Sequence, residues 1–205
     1  MTETRIQSRN RQAIREAALQ VFSDAGYRGA TLDRIAAAAG LSKPNLLYYV
    51  PSKAAIYDAL LSDLLDLWLA PLGALDPEGD PLEEILGYTR RKLALSRDHP
   101  RESRLFAGEV LRGAPRIAPE LEGRLRRMVD EAAAVIDGWA AAGRIAPVDP
   151  RHLIFSIWAL TQHYADFDAQ VRAVLGPSDP WPAAEDHVLG LLRRSLAVPD
   201  QASGR

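Results

Sequence analysis

The sequence contains no cysteine. Disulfide bonds, thiol catalysis and zinc sites built from thiolates are therefore excluded. It also contains no apolar run of the roughly 20 residues that a membrane-spanning helix needs, and no secretory signal at its N-terminus. We therefore expect a globular protein of the cytoplasm. Its 205 residues are enough for one or two domains with a buried core.

Patterns that mark catalytic or metal sites are missing as well. None of the four histidines has a carboxylate or cysteine partner at the spacing of metal ligands. No glycine-rich phosphate-binding loop occurs. The sequence therefore predicts neither an enzyme nor a bound cofactor.

Apolar residues recur at helical spacing along the whole chain, and no strand pattern interrupts them. The first helix is expected from Arg9 to Gly26, and a long helix from Ser52 towards Pro71. An N-cap at Asp80 predicts the next helix, to about residue 97. Further helices are predicted over 101–112, 119–142, 150–175 and 183–197. The fold class is therefore predicted to be all-α.

Two short helices near the N-terminus are separated by a glycine turn. Thr31 can cap the first helix, and Gly40 can end it in the left-handed conformation. Ser42 can cap the second helix, whose Leu46 and Leu47 are expected to point inward. This spacing is typical of a helix-turn-helix, which binds DNA. The alternative is a pair of small helices in an ordinary bundle.

The charge distribution supports a DNA-binding N-terminus. Residues 1–57 hold eight Lys and Arg against four Asp and Glu, a net charge of +4, whereas the whole chain carries −2 and the remainder therefore −6. Basic residues neutralise phosphates and provide most of the non-specific affinity for DNA. Arg5, Arg9 and Arg11 could reach the DNA backbone or could be solvated surface residues.

The segments 26–27, 39–42 and 47–53 resemble the DNA-binding domain of TetR-family repressors, over about residues 8–57. In that family an N-terminal three-helix domain precedes a helical ligand-binding and dimerisation bundle. The resemblance implies a DNA-binding domain at 1–52 and a ligand-binding domain at 53–205. It also implies a homodimer formed through the last two helices, with a palindromic operator as its partner. Alternatively, the apolar faces of those helices could complete the core of a monomer.

The resemblance also implies which residues contact DNA. The expected DNA-binding residues are Thr31, Ser42, Lys43, Pro44, Asn45, Tyr48, Tyr49 and Lys53. Asn45 could pair with adenine and Pro44 could touch a thymine methyl group. Thr31 and Lys53 offer phosphate contacts at helix N-termini. Which of these residues touches a base stays open.

Segments 66–72, 152–155 and 161–167 are similar to those of TetR-family regulators that respond to uracil and thymine. This similarity implies a planar pyrimidine effector. Indoles would supply its stacking surface, and a glutamine amide would match a lactam edge with one donor and one acceptor. The expected ligand-binding residues are Trp68, Trp158, Gln162, His163, Phe106 and Arg104.

Three alternatives stay open for this part of the chain. Trp68 and Trp158 could be ordinary core residues, with Gln162 a hydrogen-bonded residue between helices. Segments 73–80 and 124–142 depart from the pattern of the pyrimidine-responsive regulators, so a different planar or apolar effector would also fit. The third alternative belongs to another functional class: a helical scaffold or carrier of small molecules that does not bind DNA.

Overall fold

The computed structural model describes residues 5–198, and every regular element in that range is helical. The α-helices are α1 (Arg5–Gly29), α2 (Leu32–Ala38), α3 (Lys43–Tyr49), α4 (Lys53–Leu69), α5 (Pro81–Asp98), α6 (Pro100–Leu111), α7 (Ala118–Glu120), α8 (Arg126–Ala141), α9 (Pro150–Asp166), α10 (Asp168–Leu175) and α11 (Trp181–Leu196). The predicted all-α fold is confirmed. Over the same residues, no helix combines the length and apolar character that a bilayer crossing requires.

The helices form two compact units. Within the described range, residues 5–66 and 101–119 form the N-terminal unit, and residues 67–100 and 120–198 form the C-terminal unit. This division differs from the predicted boundary at residue 52, because most of α4 and nearly all of α6 belong to the N-terminal unit. The reason is a buried contact between these two helices, in which the Tyr57 hydroxyl donates to Glu109 at 3.0 Å.

Local capping shapes the N-terminal unit. Thr31 Oγ1 accepts from the backbone N–H of Arg34 at 3.2 Å, and Ser42 Oγ accepts from that of Asn45 at 3.3 Å. Both side chains satisfy a first-turn N–H that has no partner within its helix. These two predicted caps are confirmed.

The turn between α2 and α3 is closed by backbone groups alone. Gly40 has a φ of +67°, a conformation that costs glycine little. Its N–H donates to Ala37 at 3.1 Å, and the N–H of Leu41 donates to Ala36 at 2.9 Å. The left-handed helix end predicted at Gly40 is therefore confirmed.

Helix α3 buries only one of its faces. Leu46 is fully buried, but Leu47 is 41% exposed. The prediction that Leu47 points inward is wrong. Adjacent residues lie about 100° apart around a helix, so Leu47 lies to the side of the α3 face that buries Leu46.

The C-terminal unit surrounds an apolar core in which α5 packs against α9 and α11, and α8 packs against α9. Leu153, Ile157 and Val188 are buried in this core. Much of the apolar surface of the last helices therefore belongs to the core of this chain. Phe155 and Leu191 stay exposed, by 48% and 38%.

Two helices that were predicted to be continuous are interrupted. The segment 119–142 contains a five-residue π-helical turn, Leu121–Leu125, before α8 begins. The segment 150–175 breaks at Phe167, which separates α9 from α10. No proline or glycine lies near Phe167 in the sequence, so apolar periodicity could not reveal this break.

Candidate DNA-binding surface and effector site

Helix α3 presents its polar residues to solvent. Lys43, Pro44, Asn45 and Tyr48 are exposed, with Tyr48 exposed by 75%. The Lys43 ammonium pairs with Asp33 on α2 at 3.0 Å. Because both partners are well exposed, this ion pair contributes little and a phosphate could replace the carboxylate. Four of the residues predicted to contact DNA therefore lie together on one accessible surface.

Tyr49, the next residue on α3, is partly buried and joins the helix to α1. Its hydroxyl accepts from Asn10 Nδ2 at 2.8 Å. The guanidinium carbon of Arg11 lies 5.8 Å from its ring centroid. These contacts fix the orientation of α3, whereas the neighbouring Tyr48 extends into solvent.

Lys53 makes structural contacts within the N-terminal unit. Its ammonium donates to the backbone oxygens of Tyr27 and Ala30, both at 2.9 Å, and lies 4.5 Å from the Tyr27 ring centroid. The positive charge compensates the carbonyl end of α1. The expected phosphate contact would require Lys53 to leave these partners.

Arg104 and Phe106 lie on α6 and belong to the N-terminal unit, with Arg104 exposed and Phe106 partly buried. Trp68 and Trp158 belong to the C-terminal unit. The six residues predicted to bind the effector are therefore divided between the two units.

In the C-terminal unit, Trp158 is positioned by α5. Its indole N–H donates to the hydroxyl of Tyr88 at 2.6 Å. Burial raises the pKa of Tyr88 well above its usual range, so this phenol stays neutral. Gln162 lies one turn further along α9 and is partly exposed. Its side-chain amide has no hydrogen-bond partner within residues 5–198. His163 lies at the surface, stacked on Phe167 at a centroid distance of 5.0 Å.

The third predicted residue of this site, Trp68, is buried beside a lysine. Trp68 is 5% exposed, and its indole N–H has no hydrogen-bond partner in the described part of the chain. The Lys92 ammonium lies 5.1 Å from the Trp68 ring centroid, and Lys92 is only 1% exposed. Burial lowers the pKa of Lys92 to about 7, although the charge of Asp166 acts in the opposite direction. Ser96, one turn beyond Lys92, is fully buried and its hydroxyl is also unpartnered.

The sequence interpretation did not identify Lys92 or Ser96. The available signal was helical spacing, since Lys92 lies four residues from both Tyr88 and Ser96 in the buried stripe of α5. The C-terminal unit therefore combines two indoles and a free amide with a buried cation and a buried hydroxyl.

Comparison with known proteins identifies the family. Residues 14–60 match the family model described as bacterial regulatory proteins, tetR family, and residues 61–195 match the model of the YcdC-like protein C-terminal region. This chain belongs to the TetR family of transcriptional regulators. Regulators of this family bind operator DNA and small-molecule effectors and act as dimers. They are not enzymes, and the sequence interpretation agrees with this.

Among curated TetR-family relatives, the chain is 53% identical over 173 residues to the HTH-type transcriptional regulator RutR of Escherichia coli strain K12. The match covers 84% of this chain and 82% of that protein. RutR of Shigella flexneri matches with the same identity and coverage. The similarity thus extends through both units.

Solved structures show the same TetR fold. The protein SCO4942 from Streptomyces coelicolor superposes with a TM-score of 0.69 at 22% identity, over 93% of this chain and 99% of that chain. AibR in complex with isovaleryl coenzyme A and operator DNA superposes with a TM-score of 0.65 at 21% identity, over 93% and 98%. At these identities the likeness concerns the fold alone.

Proposed function

We propose that this TetR-family regulator acts in the cytoplasm, binds a palindromic operator as a homodimer, and responds to a pyrimidine, uracil or thymine. The observation that carries the effector proposal is the set of polar aromatic and amide groups in the C-terminal unit. Trp68 and Trp158 offer stacking surfaces, and the unpartnered amide of Gln162 offers a donor and an acceptor to a lactam edge. Similarity to RutR over 84% of the chain supports the same assignment.

The DNA proposal depends on the exposed face of α3. Lys43, Asn45 and Tyr48 are available to bases and phosphates, whereas Tyr49 positions the helix. Thr31 and Ser42 contribute as caps that order the first turns of α2 and α3. Their hydroxyls already accept from the backbone, so a phosphate there would meet the remaining first-turn N–H groups.

The DNA proposal is tested by fluorescence anisotropy with a duplex that the protein selects from random sequence. We expect the double variant Lys43→Ala, Tyr48→Ala to lose at least about tenfold in affinity, with a shallower salt dependence, because phosphate contacts are removed. Arg127→Ala, an exposed change on α8, is the matched control and should retain binding. Unchanged affinity in the double variant would contradict the assignment of α3.

The effector proposal is tested by repeating the titration with uracil, thymine and a panel of planar compounds. We expect a pyrimidine to change operator affinity by about tenfold or more, in either direction, since coupling between two sites is commonly 5–150-fold. Gln162→Leu should retain operator binding and lose the response. A protein that binds its operator equally well with every compound would refute the effector assignment.

The homodimer is tested by sedimentation equilibrium of the full chain. Phe155 and Leu191 stay exposed on the last helices of the C-terminal unit and would be covered in a dimer. We expect the mass of two chains at micromolar concentration, and weakened association in Leu191→Glu. A monomer at the concentration at which the operator is bound would refute this part of the proposal.

A further inference from the structure

Three buried hydrogen-bond donors lie close together in the C-terminal unit. The indole N–H of Trp68 and the hydroxyl of Ser96 have no hydrogen-bond partner among residues 5–198, although both residues are at least nine-tenths buried. Lys92 lies one turn before Ser96 on the same face of α5, and its ammonium lies 5.1 Å from the Trp68 ring centroid. Buried polar groups in folded proteins almost always have partners, so unsatisfied donors in one place indicate that something else binds there.

The packing of α5 and α9 places these donors beside the residues already assigned to the effector. Tyr88, Lys92 and Ser96 follow one another at four-residue intervals and share one face of α5. At one end of that face, Tyr88 binds the Trp158 indole. Further along it, Lys92 is influenced by the charge of Asp166, which lies two turns beyond Trp158 on α9. The donors therefore continue the same interhelical region that contains Gln162.

The chemistry of these groups limits what can bind there. A lysine ammonium and an indole N–H can only donate hydrogen bonds, and a serine hydroxyl can donate as well. A matching ligand must present acceptors, and the Trp68 ring favours a flat ligand. A pyrimidine with ring carbonyl oxygens has both properties.

On the basis of the effector proposal above, we propose that Lys92, Ser96 and the Trp68 indole form the subsite that receives a carbonyl oxygen of the effector, and that effector binding takes up a proton at Lys92.

The direction of this proton linkage follows from the surroundings of Lys92. Burial lowers its pKa to about 7, so near neutral pH a large part of the free protein carries a neutral amine. A carbonyl acceptor stabilises the ammonium and raises the pKa, and the proton comes from the buffer. The neighbouring titratable groups do not reverse this direction. The charge of Asp166 favours the ammonium as well, and Tyr88 stays neutral. Affinity should be highest near pH 6 and fall as the pH rises from 7 to 8.5.

The test is isothermal titration calorimetry of the full chain with uracil, in phosphate and in Tris buffer, from pH 6 to 8.5. Proton uptake makes the observed enthalpy depend on the ionisation enthalpy of the buffer. We expect this dependence at pH 7.5 and above, and its disappearance at pH 6. In Lys92→Met the dependence should vanish and uracil affinity at pH 6 should fall by about tenfold or more, since a hydrogen bond to a charged group is lost.

Two further variants complete the design. Ser96→Ala removes one neutral donor and should lower affinity by roughly threefold to tenfold, with proton uptake retained. Arg91→Met changes the exposed neighbour of Lys92 on α5 and should leave affinity and uptake unchanged.

The outcomes separate the two proposals. If the wild-type protein binds uracil without proton uptake and Lys92→Met binds it equally well, the subsite is refuted and the effector assignment stands. If the wild-type protein binds no uracil at any pH, the effector assignment fails and the subsite fails with it. Melting curves of each variant show that it is folded, and methionine keeps the length and apolar stem of the lysine.

Discussion

Among residues 5–198, each unit buries one charged side chain, and the surroundings of the two side chains differ. In the N-terminal unit, Glu109 is 1% exposed and accepts from the Tyr57 hydroxyl at 3.0 Å and from the backbone N–H of Arg116 at 2.9 Å. The Arg112 guanidinium lies 3.7 Å from the same carboxylate. In the C-terminal unit, Lys92 is equally buried, but it faces an aromatic ring and lies near two donors without partners.

The two buried charges have different effects on the stability of their units. A carboxylate with several partners holds α4 and α6 together and gives the N-terminal unit one stable arrangement. Burial and the bond to Glu109 also raise the pKa of Tyr57 to about 12, so its hydroxyl stays a donor. A buried cation without comparable partners destabilises its surroundings until a ligand satisfies it. The buried charge of the N-terminal unit therefore contributes to its stability, whereas the buried charge of the C-terminal unit opposes folding.

The largest expected effect comes from breaking the paired charge. Glu109→Ala leaves the Tyr57 hydroxyl, the Arg116 N–H and the nearby Arg112 cation without their acceptor. We expect a loss of about 3–5 kcal/mol in the free energy of unfolding, because two donors lose hydrogen bonds to a charged acceptor. Urea unfolding followed by circular dichroism measures this loss. Glu131→Ala, an exposed change on α8, should have almost no effect. Similar losses in both variants would contradict the comparison.

Removing the other buried charge should act in the opposite direction. The pKa of Lys92 is lowered from 10.5 to about 7 in the folded protein, so between these values the unfolded state binds more protons. Stability should therefore rise with pH from 7 to 9, by about 2–3 kcal/mol. Lys92→Met should be more stable than the wild-type protein at pH 7 and should lose this pH dependence. Arg91→Met should keep the wild-type slope, and an equal slope in Lys92→Met would exclude Lys92 as its cause.

The third prediction concerns the ion pair beside Glu109. Arg116 donates to Asp58 at 2.7 Å and to the Tyr27 hydroxyl at 2.7 Å, and its guanidinium carbon lies 4.2 Å from the Tyr27 ring centroid. We expect Arg116→Met to lower the unfolding free energy by about 1–2 kcal/mol, because these partners are only partly screened by solvent. Arg112→Met, which removes a longer and more exposed contact, should cost less than half as much. The reverse order would show that Arg112 is the main partner of this cluster.

The smallest expected effects distinguish two glycines, one in each unit. Gly40 has a φ of +67°, so Gly40→Ala should destabilise by about 1 kcal/mol through backbone strain. Gly138 lies inside α8, is exposed, and has open space where a Cβ would lie. Gly138→Ala should therefore stabilise by about 0.5–1 kcal/mol. Thermal melting resolves the two signs, and a stabilising Gly40→Ala would refute the role of the left-handed turn.

Local features of the fold could be predicted from the sequence. The caps at Thr31 and Ser42 and the turn at Gly40 depend on groups within a few residues, so residue type and spacing are sufficient. The division into units could not be predicted, because α4 and α6 are joined by Tyr57 and Glu109, which are 52 residues apart.

The candidate site was predictable to a smaller extent. Trp68 and Trp158 were identified through resemblance, and the structure places both within the C-terminal unit. Lys92 was not predicted as a site residue, because a lysine is ordinarily assigned to the surface even when helical spacing places it in a buried stripe. Lys53 was expected to face a phosphate, since a first-turn lysine is unfavourable without an anion. Its actual partners are carbonyl groups 23 and 26 residues away.

The backbone closure of the turn at Gly40 has an evolutionary consequence. No side chain of α3 takes part in these backbone hydrogen bonds, so substitutions at positions 43, 44, 45 and 48 leave them in place and remove at most the exposed Lys43–Asp33 ion pair between the two helices. These four positions can therefore change during evolution while the turn between α2 and α3 is preserved.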